Sequence, residues 1–183
     1  MLSDNALALG AYSRAARAFA TDAPAASALF ARTADQLVDW LLREMRGADG
    51  LFFASLDADA NGREGSSYVW TVDEILSSLP TEGEAFLFAY QFEPEGNFRD
   101  EATGAATGEN VPHLRSALDA ASPGTLAKLL AIRNQRIQPQ RDDKAIVGWN
   151  GLLIEAFVEA GRIDLATSTA NAIWDRVSDP RQL

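Results

Sequence analysis

The stretch SLDADANGREGSSYVWTVDEI, residues 55–75, could bind calcium, carry chemistry or form a polar turn. Its centre, DADANG, imitates the start of a calcium loop, with Asp57, Asp59 and Asn61 at alternate positions and Gly62 after them. An EF-hand loop needs oxygen ligands at its first, third, fifth and twelfth positions and glycine at its sixth. Counted from Asp57, the eighth position is Glu64, where an apolar residue belongs, and the twelfth is Tyr68, which cannot close the site as a bidentate carboxylate does. The flanks fail too, because an EF-hand has a helix on each side. LFFASL, residues 51–56, and Tyr68, Val69 and Trp70 have a strand-like bias instead. The segment therefore reads as a β-hairpin with a long polar loop, its strands at 51–56 and 68–70. It runs straight into a helix, since Thr71 and Glu74 make the T-x-x-E pattern of a capping box. No metal is expected; a looser calcium site on Asp57, Asp59 and Glu64 is the alternative.

Outward from this hairpin the pattern is helical. Leu9, Tyr12, Ala16 and Phe19 share a stripe at helical spacing, and Asp22 with Pro24 marks a stop, a cap and a new start. The second helix carries Phe30, Ala34, Leu37, Val38, Leu41 and Met45 on one face and ends at Gly47 to Gly50. Residues 82–92 read as a short helix, and 94–113 as an irregular, mobile connection rich in Gly, Asn, Thr and Glu. Ser122 and Pro123 start a helix expected to reach Gln138, where Pro139 stops it. Trp149, Leu152, Leu153, Ala156, Phe157 and Ala160 form an apolar stripe closed by Gly161, and a last helix follows. The expected fold is mostly α, built from helical hairpins with one small β-hairpin insertion, as a single helical domain over residues 1–183.

The composition narrows the function classes. The chain has 183 residues, 47% of them hydrophobic, enough for a substantial core. A formal net charge of −10 argues against nucleic acid as a partner, because phosphate affinity rests on Lys and Arg. The absence of cysteine removes disulfides, thiolate metal sites and a cysteine nucleophile from this chain. With a single histidine, His113, a His-rich zinc site and a paired-histidine acid–base mechanism are both unsupported. No apolar run is long enough to span a membrane, and the N-terminus lacks a signal-peptide pattern, so a cytoplasmic location is expected.

Several segments together resemble a known family. SLDADANGREGSSYVWTVDEI is similar to S-x-D-A-D-S-x-G-x-E-G-x-F-Y-V-W-T-x-x-E-I, and RDDKAIVGWNGLLIEAFVEAGR, residues 141–162, to D-D-K-x-L-T-S-W-N-G-L-M-I-x-A-x-A-x-A-G. LSDNALAL at 2–9 resembles L-Y-D-N-A-x-L, and EPEGNF at 93–98 and ENVPHL at 109–114 match weaker stretches in the same order. The family is that of the thioredoxin-domain-containing, spermatogenesis-associated-like proteins. Full-length members resemble a thioredoxin-like domain fused to an (α/α)6 toroid like those of six-hairpin glycosidases and N-acylglucosamine 2-epimerases. The resemblance implies that this chain is the middle of the toroid, without the thioredoxin-like part and without the later hairpins. It departs from the family pattern at Ser3, where Tyr is usual, at Gly148, where Ser is common, and in a longer, more polar 97–113 segment. An incomplete toroid exposes apolar faces, so self-association is expected, with Trp149, Phe157 and Trp174 partly covered by a second copy.

Within such a toroid the matching polar residues gather around a cavity. Two carboxylates on a sugar, with aromatic platforms, are the requirements of glycoside chemistry. The catalytic candidates are Asp57, Asp59, Asp142 and Asp143. The substrate-binding candidates are Asn5, Glu64, Tyr68, Trp70, Lys144, Trp149 and Asn150. Each also has a structural reading. Asp4 and Asn5 suit a helix start, Asp142 and Asp143 favour the positive end of the following helix, and Lys144 pairs with one of them. Trp70 and Trp149 suit a core, and a buried Asn150 is either a polar knot or a ligand contact. The basic run Lys128, Arg133, Arg136, Arg141 and Lys144 reads as a solvated helix face, with an anionic sugar or a protein partner as the alternative. Two functions follow: a domain that binds or processes a small carbohydrate without a cofactor, or a non-catalytic scaffold that presents or regulates a redox domain. The first places the 57–70 hairpin and the 142–150 segment together.

Overall fold

The computed structural model describes residues 1–101, 103–116 and 120–178. Ala102, inside the expected 94–113 connection, lies outside the described residues. By its internal contacts the chain divides into two compact units, Met1–Asp57 with Arg141–Leu183, and Ala58–Gln140. The fold is mostly α, as expected, with seven α-helices among the described residues.

In the first unit, α1 (Leu2–Ala18) packs on α2 (Pro24–Trp40) and on α6 (Val147–Glu159), and α6 packs on α7 (Ile163–Val177). Pro24 opens α2 as read from the sequence, but the cap residue is Ala23 with no side-chain bond, so Asp22 does not serve. After Trp40 the helix widens into a π-helical segment, Leu41–Met45, which keeps Leu41 and Met45 in the core. Leu2, Leu9, Phe52, Leu153 and Phe157 are fully buried there, with the Phe52 and Phe157 rings 5.6 Å apart. Of the three aromatics expected on an exposed face, Phe157 is enclosed and Trp149 half-buried, while Trp174 is 69% exposed.

The strand-like segment 51–56 does not pair with 68–70. On one side it lies against the end of the π-helical segment, where Phe53 N–H reaches Met45 O at 2.8 Å and Gly47 N–H reaches Leu51 O at 2.7 Å. Its continuation β1 (Ser55–Leu56) pairs antiparallel with β4 (Arg141–Asp142), in the register Ser55↔Asp142 and Leu56↔Arg141. The sequence expectation failed because a short apolar run specifies that a strand forms but not its partner, which here lies far along the chain.

The second unit begins with the hairpin itself, much tighter than expected. β2 (Asp59–Ala60) and β3 (Arg63–Glu64) pair across a two-residue loop, in the register Asp59↔Glu64 and Ala60↔Arg63. Asn61 and Gly62 both have positive φ, at 55° and 71°, as a type I′ turn requires. Thr71 caps α3 (Val72–Ser78) with the full capping box: Glu74 N–H donates to Thr71 Oγ1 at 3.1 Å, and Thr71 N–H to Glu74 Oε2 at 2.8 Å. α4 (Gly83–Ala89) and α5 (Pro123–Arg133) follow, the latter capped by Ser122 as expected. α5 stops at Arg133 rather than near Gln138, because Gln138 Nε2 turns back to bond the carbonyls of Arg133 and Arg136, each at 2.9 Å. The core of this unit is Trp70, Ile75, Leu79, Phe86 and Leu129.

The described residues of 94–112 lack helix and strand but are linked by hydrogen bonds. Asn110 is fully buried. Its Oδ1 accepts from Glu93 N–H at 2.8 Å and Asn97 N–H at 3.2 Å, and its Nδ2 donates to Glu93 O at 3.1 Å. Its backbone forms a two-way bridge with Trp70, at 2.9 and 2.7 Å.

Candidate functional site

In the second unit the turn chemistry of Asn61-Gly62 brings Asp59 and Glu64 directly opposite each other, both exposed. Like charges at facing positions of an antiparallel pair cost stability, a cost that the exposure of both side chains to solvent keeps small. They face a cleft of about 530 Å³, shared with Phe98, Arg99, Asp100 and Thr107. Arg63, which also lines the cleft, forms a two-pronged ion pair with Glu109, at 2.6 and 2.7 Å, that fastens the hairpin to the segment carrying Phe98 and Thr107. The half-buried ring of Phe98 approaches Gly65, where an added Cβ would sit 3.5 Å from the ring edge. The cleft lining thus combines the carboxylates of Asp59, Glu64, Asp100 and Glu101 with the guanidiniums of Arg63 and Arg99, the Phe98 ring and the Thr107 hydroxyl, which donates to Phe98 O. That set can hydrogen-bond several hydroxyls of a small polar ligand and offer a ring surface for stacking.

The aromatic candidates on the same signature sit elsewhere in the unit. Trp70 is in the core, and the Arg136 guanidinium lies 4.0 Å from its ring centroid. Arg136 also donates to Val69 O at 2.6 Å and pairs with Glu74 at 3.2 Å. Tyr68 is half-buried beneath Arg133, at 5.2 Å. The basic run is therefore no simple solvated face: two of its arginines hold the signature's aromatics in place.

The remaining candidates belong to the first unit. Asp57 is exposed just after β1, and Asn5 donates from Nδ2 to Met1 O at 2.7 Å within α1. Asp142 ends β4, and Asp143 and Lys144 lie exposed before α6. Lys144 Nζ is 2.9 Å from Asp142 Oδ2, and Lys144 N–H donates to Asp142 Oδ1 at 3.3 Å. These bonds hold the Asp142 carboxyl below the usual carboxylate range and raise the Lys144 ammonium above its own. Asp142 is thus held as an anion at neutral pH, suited to steady a positive charge rather than to act as a general acid or base. A lowered folded-state value means that Asp142's contribution is present above the unfolded carboxylate range and is lost as pH falls through the folded value. The raised Lys144 contributes below the unfolded lysine range and loses its share as pH climbs through its own folded value. Lys144→Met is expected to move the Asp142 midpoint upward, read by carbon NMR of the carboxyl through an acid titration; an unmoved midpoint would show that the pair does not form in solution.

Asn150 is 1% exposed in α6. Its Oδ1 accepts from Phe52 N–H at 2.8 Å, and its Nδ2 donates to Phe52 O at 3.0 Å and Ile146 O at 3.1 Å. Of its two sequence readings, the polar knot is the one these bonds describe. Asn150 also lines a pocket of about 280 Å³, together with Leu51, Val147, Ile173 and Val177. Among the described residues no three His, Asp or Glu side chains are gathered to hold a metal ion, and no helix is long and apolar enough to cross a membrane.

Phe98, Asp100 and the Arg63–Glu109 pair were not singled out from the sequence. The available signal was Asn61-Gly62, the strongest short-range hairpin pattern, which fixes Asp59 opposite Glu64 and turns Arg63 to the next segment.

No model of a known family matches the chain. The chain is 27% identical to human spermatogenesis-associated protein 20 over 195 residues, covering 89% of this chain and 24% of that protein. It is 26% identical to the rat protein of that name over 166 residues (73% of this chain, 21% of that protein). It is 27% identical to the mouse protein over 164 residues (72% and 21%). The chain therefore spans less than a quarter of the length of the curated relatives it matches. These similarities agree with the resemblance carried by the two long motifs: this is a mostly helical chain similar to a stretch of spermatogenesis-associated protein 20.

Proposed function

We propose that the chain is part of a carbohydrate-binding α/α-toroid domain, as in the six-hairpin glycosidase-like part of thioredoxin-domain-containing relatives, and that its ligand contact is the 59–64 cleft. The observation that carries this reading is the facing of Asp59 and Glu64 at the mouth of a cleft that also holds Phe98. Sugar hydroxyls donate to paired carboxylates, and the apolar face of the ring lies on an aromatic side chain. The reading assigns binding; an acid–base role for Asp59 would be its catalytic extension. The alternative is a scaffold for a redox domain in a longer protein.

A thermal-shift screen with neutral, amino and acidic monosaccharides and disaccharides tests it. At least one sugar is expected to raise the melting temperature in a concentration-dependent way. Asp59→Asn, Glu64→Gln and Phe98→Ala, each folded by circular dichroism, are expected to weaken that binding about tenfold or more, the loss of one or two good contacts. A flat response to every sugar would favour the scaffold.

A further inference from the structure

The chain contains two Asn-Gly pairs, Asn61-Gly62 and Asn150-Gly151, and the fold places them in opposite chemical situations. Glycine after asparagine leaves the following amide nitrogen unhindered, so it can attack the side-chain carbonyl carbon. We propose that Asn61 is a site of spontaneous deamidation, while Asn150 is protected by the fold. The proposal stands independently of any ligand in the cleft.

At Asn61 the side chain is exposed at the tip of the β2–β3 turn. Gly62 lies outside the paired residues Ala60 and Arg63, and a Cβ added to it would meet nothing within 4 Å. The Gly62 nitrogen forms a bond to Asn61 Cγ as the Cγ–Nδ2 bond breaks. Ammonia leaves with the proton lost by the Gly62 nitrogen, and a five-membered succinimide remains. Water then opens the ring at either carbonyl, giving aspartate or isoaspartate; no oxidant or reductant is involved. Isoaspartate adds a backbone carbon inside a two-residue turn and a third carboxylate beside Asp59 and Glu64. The register that faces those two residues across the hairpin cannot survive that insertion unchanged.

At Asn150 every requirement fails. The residue lies within α6, its amide is held by Phe52 and Ile146, and it is 1% exposed. Attack there needs prior opening of the helix and of the clasp on Phe52.

The test is peptide-level mass spectrometry of the intact folded chain, aged near physiological pH and temperature and sampled over weeks. The readout is replacement of the side-chain NH2 by OH, with isoaspartate recognised by its separate elution. Exposed turns open at almost no free-energy cost and cores only at nearly the full cost of unfolding, so Asn61 is expected to convert at least about a hundredfold faster than Asn150. In denaturant the two sites share the same Asn-Gly sequence and should convert at comparable rates. Asn61→Gln should abolish conversion at the turn and leave Asn150 unchanged. Retention of the Asn61 amide for as long as that of Asn150 in the folded chain overturns the proposal.

Discussion

Replacing Asn150 by alanine is expected to destabilise the first unit by about 3–5 kcal/mol, the cost of leaving two buried backbone groups without partners. Phe52 is fully buried, and its neighbours Leu51 and Phe53 use their backbone groups on Gly47 and Met45. An extended chain alternates the direction of its hydrogen-bonding groups, so Phe52 N–H and C=O point the other way. Asn150 receives both, and its carboxamide stands in for a missing strand. The size of the loss follows from desolvation: folding has already removed these groups from water, and each orphaned group costs about 1–3 kcal/mol. Asn150→Leu separates this cause from lost packing. It restores volume without restoring a donor or an acceptor, so it should be nearly as damaging as alanine. Urea unfolding followed by tryptophan fluorescence measures both variants, and a leucine variant within about 1 kcal/mol of the parent would contradict the clasp.

Gly96→Ala is expected to be comparably severe in the second unit, above about 3 kcal/mol, because backbone strain and a steric clash combine there. Gly96 is buried with φ +85°, and an added Cβ would lie 2.4 Å from Glu109 O and 2.5 Å from Glu109 N. Those are backbone atoms, and they cannot swing aside as a side chain would. Glu109 precedes Asn110, which gathers Glu93, Asn97 and Trp70, so the displacement spreads through the wall of the cleft. Gly104→Ala is the control. Gly104 has φ +69° but open space around it, so only the conformational strain of about 1 kcal/mol remains. Equal effects at the two glycines would show that the 93–110 segment does not hold this close approach in solution.

What the sequence revealed and what it hid follow from the range of each interaction. The Thr71 capping box, the Ser122 cap and the Pro24 start are local devices of a few residues, and they formed as read. The positive φ of Gly161 after α6 is another. The partner of residues 55–56 was not legible, since β4 lies far along the chain, beyond α3, α4 and α5. The hydrogen bonds among the described residues of 94–112 were hidden as well: they converge on Asn97, Thr107 and Asn110, beside the Arg63–Glu109 pair, and leave no periodic trace. The calcium-like spacing of DADANG was real but misleading: its alternation is that of a strand leading into a type I′ turn, with Asp59 on the strand and Asn61 at the turn. The candidate site was half legible, in that the signature named Asp59 and Glu64 but its aromatics Tyr68 and Trp70 lie under arginines. Phe98 comes from a segment whose spacing marked it only as irregular.

The most direct measurement of the central claim is a nitrogen–proton correlation spectrum of the labelled chain, titrated with the sugar that gives the largest thermal shift, or with each sugar in turn. Saturable changes at the amides of Asp59, Glu64, Phe98 and Thr107, absent in Asp59→Asn, are the predicted result. Saturable changes confined to other residues, or none with any sugar, would contradict it.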